Sequence, residues 1–109
     1  MIRFFAIALA LSLVGCTSYA RDVERICLAP SRSKYETKNA IDRESQMKEM
    51  MEWAESQAAT TEGKALTQDV LRAAMYARAK LLRDAQKKSS LGSCELADWV
   101  ESGETSRVR

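Results

Sequence analysis

An all-α fold is what this sequence predicts, and three observations predict it. Helix breakers are scarce: 109 residues hold one proline, Pro30, and four glycines, which leaves long stretches for uninterrupted helix. Alternation of β-branched or aromatic residues with polar ones, the mark of a half-buried strand, is nowhere sustained. Apolar residues recur instead at helical spacing in two long segments, and a short loop between such segments predicts an antiparallel helical hairpin flanked by short N- and C-terminal helices. The length suits a single domain.

The chain opens MIRFFAIALALSLVGC. Arg3 precedes the eleven residues 4–14, of which Ser12 alone is polar; this is the pattern of a secretory signal. Eleven helical residues reach about 16 Å, well short of the ~30 Å hydrocarbon core, so no membrane span is expected here. A soluble core helix carries a polar face, and this stretch has none. Leu13-Val14-Gly15-Cys16 resembles the lipobox of bacterial lipoproteins. That resemblance is confined to the signal. It implies that residues 1–15 are removed, that the Cys16 sulfur is lipidated, and that 16–20 form the acylated N-terminus and a short linker. In that family an Asp directly after the cysteine favours retention at the inner membrane. Thr17 stands here, which implies the periplasmic face of the outer membrane in a Gram-negative source. Two or three acyl chains anchor a protein stably without any inserted helix.

With Cys16 assigned to lipid, the export that the lipobox implies leaves Cys27 and Cys94 as an even pair, expected to form one disulfide, with two free thiols as the alternative. Their separation is 94 − 27 = 67 residues, for which the loop-entropy relation gives about 4 kcal/mol. Neither lies in a C-x-x-C motif, so the bond is expected to be a structural clip across the all-α domain.

The helical domain is expected over 21–103. Residues 19–28 predict a short helix that carries Cys27 and ends before Pro30, and 31–38 read as a polar connector. A first long helix begins between 37 and 42 and runs to about 58; Met47, Met50, Met51, Ala54 and Ala58 share its core-facing stripe, with Trp53 on the flank. Gly63 punctuates. The second long helix is expected from Thr67, as N-cap, to about 88, with Leu66 and Leu71 as a hydrophobic staple. Val70, Leu71, Ala74, Ala77, Leu81 and Ala85 form its apolar stripe. After Gly92, Ser93 caps a last helix over 94 to about 101, where Leu96, Trp99 and Val100 share a face. Residues 104–109 are expected to be a flexible tail.

Seventeen Lys and Arg against fifteen Asp and Glu leave a formal charge of +2, too balanced for a polyanion binder, so no nucleic-acid partner is expected. Histidine is absent. Its absence removes the usual general base near neutral pH, the Ser-His and Cys-His pairs and the commonest metal ligand, and no catalytic residue, metal or cofactor is expected. Glu44, Glu49, Glu52 and Glu55 line up carboxylates, but a di-metal bundle needs Glu-x-x-His pairs and a glycosidase needs a carbohydrate cleft; they read as a solvated acidic face. Serines beside Lys87 and Lys88 read as a solvated helix end rather than a Ser-Lys dyad.

Two features stand out from that background. Arg78 falls inside the apolar stripe of the second long helix, level with about residue 48 of the first, and is expected to form a structural ion pair with Glu44 or Glu52, failing those with Glu95 or Asp98. Arg72, Tyr76, Lys80, Arg83 and Lys87 fall within about 80° of arc opposite the stripe. They make a candidate binding face for anionic headgroups or an acidic envelope protein, set against a plain solvated face. The expected function is that of a non-catalytic interaction or structural module, held to a membrane in the bacterial envelope by its lipid. The rival expectation is an exclusion or immunity lipoprotein that blocks incoming plasmids or neutralises an envelope-directed toxin; an envelope hydrolase is weakest.

Overall fold

A computed structural model describes residues 19–35 and 42–108, with side chains as far as 103. The signal, Cys16 and Thr17 lie outside the described residues. Those described form six helices: α1 Tyr19–Cys27, α2 Ala29–Arg32, α3 Arg43–Gln57, α4 Thr61–Arg72, α5 Met75–Lys88 and α6 Glu95–Val108. The protein is all-helical, and a disulfide joins Cys27 to Cys94 with their Cα atoms 4.5 Å apart.

Helix α1 is the centre of the packing. It touches α3, α4, α5 and α6, because Val23, Ile26 and Cys27 at helical spacing are all buried. The hairpin is α3 against α4. Asp42 caps α3, its side chain accepting from the Ser45 amide at 2.7 Å, and Met47, Met50, Met51 and Ala54 turn fully inward while Trp53 packs on the edge of the core. Helix α5 lies along α6, whose Leu96, Ala97 and Val100 are buried beside Cys94. The buried apolar core thus draws on residues from Val23 to Val100.

The second long helix expected from the sequence is in fact two. Residues 73 and 74 are extended, at ψ 148° and 149°, between α4 and α5. Thr67 is not a cap. It is fully buried within α4, its hydroxyl donating to the Lys64 carbonyl at 2.6 Å. The cap is Thr60, whose hydroxyl accepts from the Gly63 amide at 2.9 Å, so Gly63 sits inside the first turn of α4 rather than in a loop. The break also redirects the stripe. Val70 is buried and Leu71 half-buried, but Ala74 is exposed and Ala77 and Leu81 are half-buried, while Arg78, Ala79, Leu82 and Ala85 face inward from α5. At its far end α5 closes with Ser90 in the left-handed region at φ 57° and the Leu91 amide donating to the Gln86 carbonyl at 3.0 Å, a Schellman arrangement. Helix α6 runs on to Val108, so helical backbone covers 104–108.

Candidate functional site

Two buried charges bracket α4. At its start, the Asp22 carboxylate of α1 accepts from the Ala59 amide at 2.9 Å, the Thr60 amide at 2.9 Å and the Thr60 hydroxyl at 2.6 Å. That hydroxyl in turn takes the Gly63 amide, so one aspartate serves the loop and, through Thr60, the first turn of the helix. Gly63 has to be glycine for this approach, since a Cβ there would lie 2.6 Å from Asp22 Cβ. Burial is the largest influence on the Asp22 carboxyl and opposes its ionisation, but the Thr60 hydroxyl, the Ala59 and Thr60 amides and the Arg25 guanidinium outweigh it and hold the group below the usual carboxylate range.

At the other end stands Arg78, 5% exposed. Its Nε donates to the Val70 carbonyl at 2.8 Å and its Nη2 to the Leu71 carbonyl at 2.8 Å, while Nη1 and Nη2 hold the two Glu44 oxygens at 2.9 and 2.8 Å. The last carbonyls of a helix have no partner within it; here a guanidinium supplies one, and α4 can end at two alanines without glycine or proline. Glu44 opens α3 and Val70 and Leu71 close α4, so the shared guanidinium also fixes the two helices as antiparallel. Glu52, the other acid expected for this arginine, is not on it.

The five residues expected to share a basic face on the second helix are not brought together as one. Arg72 belongs to α4, across the break from the rest. Arg83 is held by α6, donating to Asp98 and Glu101 at 2.6 Å each and to Gln86 at 2.9 Å; those bonds, Glu101 first, push its pKa up. Lys80 pairs with Asp84 one turn on, at 3.1 Å. Tyr76, 82% exposed, and Lys87 do face solvent. Such a face requires a continuous helix, and residues 73 and 74 interrupt it.

Elsewhere Arg43 stacks on Trp99, its guanidinium carbon 3.8 Å from the ring centroid, and donates to the Trp99 carbonyl. Gly103 leaves room for that side chain, and Tyr35 meets the same indole edge-on at 6.2 Å. The result is a lock of α6 on α3. A groove of about 480 Å³ opens between Tyr19, Leu66 and Lys88. Among the described residues no group of three His, Cys, Asp or Glu could hold a metal ion, and no helix is long and apolar enough to cross a membrane.

A further cluster lies outside the residues that the sequence singles out. Arg21, Arg25 and Arg32 on α1 and α2, with Glu24, Leu28 and Trp53, line an open pocket of about 230 Å³. Its signal was present in the numbering: steps of four and eleven residues return to nearly the same side of a helix. The turn at Leu28 hardly disturbs this, because the Leu28 amide still reaches the Glu24 carbonyl and the Arg32 amide reaches the Leu28 carbonyl, both at 3.0 Å.

No protein-family model, curated protein or solved structure matches this chain. Fold and surface therefore define a class by architecture: a small helical module, clipped by one disulfide, in which Asp22, Arg78 and Arg83 serve helix ends and helix contacts.

Proposed function

We propose that this protein is a lipid-anchored, non-catalytic interaction or structural module at the periplasmic face of a bacterial membrane, the outer one in a Gram-negative source. One observation carries the reading. The Cys27–Cys94 bond uses two of the three cysteines and leaves Cys16, the residue in the lipobox-like context. Disulfides belong to exported proteins, and a lone third cysteine at the end of a signal is where an acyl chain attaches. Helix α1 starts at Tyr19, three residues beyond it, which supports a domain carried close to the membrane surface rather than on a stalk. The charged groups support a structural rather than catalytic use, since Asp22, Arg78 and Arg83 spend their hydrogen bonds on helix ends and helix contacts.

Metabolic labelling with a fatty-acid analogue tests this. The wild type should take up label and fractionate with membranes, and Cys16→Ser should do neither. Membrane partition with retained label in Cys16→Ser would overturn the anchor.

A further inference from the structure

We infer that the arginine face of α1 and α2, formed by Arg21, Arg25 and Arg32 with Trp53 beside them, docks on anionic phospholipid headgroups of the membrane that holds the anchor. The inference rests on the anchored reading above, and it names the surface that such a protein turns to the bilayer.

Position is the first argument. A chain spans at most ~3.6 Å per residue, so the Arg21 Cα, five residues from Cys16, lies within about 18 Å of the Cys16 Cα however the linker runs. Charge is the second. The pocket gathers three guanidinium groups and one carboxylate, Glu24. The other acid of α1, Asp22, is buried and committed to the start of α4. Arg25 spends one nitrogen on the Gln57 carbonyl at 2.8 Å and lies 3.7 Å from Asp22. Arg21 and Arg32 are exposed and make no hydrogen bond or ion pair with any described residue. This is the reverse of α5, where Lys80 and Arg83 are already paired. Chemistry is the third. Guanidinium groups grip phosphate through paired N–H donors, and the half-buried indole of Trp53 on the pocket wall is the kind of aromatic that sits at headgroup depth. Three arginines around one open pocket can share a phosphodiester while the indole lies against the glycerol backbone.

A chain beginning at residue 16 contains every buried core residue among the described residues, Val23 to Val100. Carrying Cys16→Ser, it has no acyl chain, so its binding to vesicles reads the arginine face independently of the anchor; labelling in cells reads the anchor alone. Co-sedimentation with vesicles of phosphatidylcholine, or of equal parts phosphatidylcholine and phosphatidylglycerol, is the measurement. Binding should be confined to the anionic vesicles and fall as salt rises. Arg21→Gln/Arg32→Gln should weaken it roughly 30-fold, at about fivefold per cation, with unchanged helicity. Arg21→Lys/Arg32→Lys should keep most of it, and Arg72→Gln/Lys87→Gln should leave it as in the wild type. Equal binding to both vesicles, or full binding by a folded glutamine variant, overturns the inference; loss in the Arg72/Lys87 variant instead moves the surface to α4 and α5. Should the glutamine variant lose helicity, the salt dependence of the wild type and the lysine variant decide between the same outcomes.

Discussion

Asp22 and Arg78 perform one task at opposite ends of α4. Each is a buried charge supplied by another helix, and each meets the backbone groups that a helix leaves unpaired, donors at the start and carbonyls at the end. Their signs match the polarity of the helix, negative at its N-terminus and positive at its C-terminus. They differ in what stands behind them. Arg78 is balanced by Glu44, whose side chain is 61% exposed, whereas Asp22 is satisfied almost entirely by backbone and the Thr60 hydroxyl. The acid is a clamp that protonation can release, and the visible ion pair of the arginine is the lesser part of its work.

The largest expected effect separates those parts. Arg78→Ala leaves the Val70 and Leu71 carbonyls without their donor, and at about 1–3 kcal/mol for each buried acceptor left unsatisfied the loss should be about 2–5 kcal/mol. Arg78→Met keeps the stem packed but restores no donor, so it should be only modestly milder. Glu44→Gln, at the exposed end of the same pair, should cost less than about 1 kcal/mol. Denaturant melts of the three variants measure this. Equal losses from Glu44→Gln and Arg78→Ala would make the ion pair, and not the helix end, the reason for the buried arginine.

Next in size is Asp22→Asn, expected to cost about 1.5–3 kcal/mol by the usual worth of hydrogen bonds to a charged group. The same residue should contribute to the loss of stability in acid. Its pKa is lower folded than unfolded, so the stability it contributes is complete above the unfolded value near 3.9 and is lost as pH falls through the folded value. Asp42 acts in the same direction, chiefly through the Ser45 amide. Stability should be flat with respect to Asp22 above about pH 5 and fall below it; Asp22→Asn should shrink that fall, and Arg78 variants should leave its shape alone. An acid limb unchanged in Asp22→Asn would assign it to other carboxylates.

The sequence showed one clamp and hid the other, for physical reasons. Arg78 interrupts an apolar stripe, and an arginine amid core positions demands a partner, so Glu44 was nameable in advance. Asp22 lies in YARDVERIC, where an aspartate between arginines looks like ordinary helix surface; nothing local says that α1 is surrounded by four other helices. The start of α4 is hidden because Gly63 reads as a breaker, while its real use is tertiary, making room for Asp22. The break at residues 73 and 74 was illegible because alanine is the best helix former and the interruption is stabilised from outside by Arg78. Helix α3 was legible because Asp42 caps it and its methionine stripe needs no distant group to explain it. The arginine face on α1 and α2 was written in the numbering, but which cations remain unpaired depends on where Asp98 and Glu101 of α6 go, and only the fold determines that.

The smallest effect is the sharpest probe of the Asp22 end. Within a helix, glycine to alanine ordinarily stabilises by about 0.5–1 kcal/mol. At Gly63 the added carbon would sit 2.6 Å from Asp22 Cβ and 2.8 Å from Cγ, closer than such atoms pack, and the obstacle is a carboxylate fixed by three hydrogen bonds rather than a flexible tip. Gly63→Ala should therefore destabilise, by about 1–2 kcal/mol as overpacking does. Asp22→Gly removes both the carboxylate and its Cβ. In that background Gly63→Ala should revert to the ordinary helical gain, so the substitution changes sign, with a coupling of at least about 1 kcal/mol between the two positions in a double-mutant cycle. Additive effects, or a gain from Gly63→Ala in the wild type, would mean that α1 and α4 do not approach as closely as the Asp22 clamp requires, and the symmetry between the two ends of α4 would fail at this end alone.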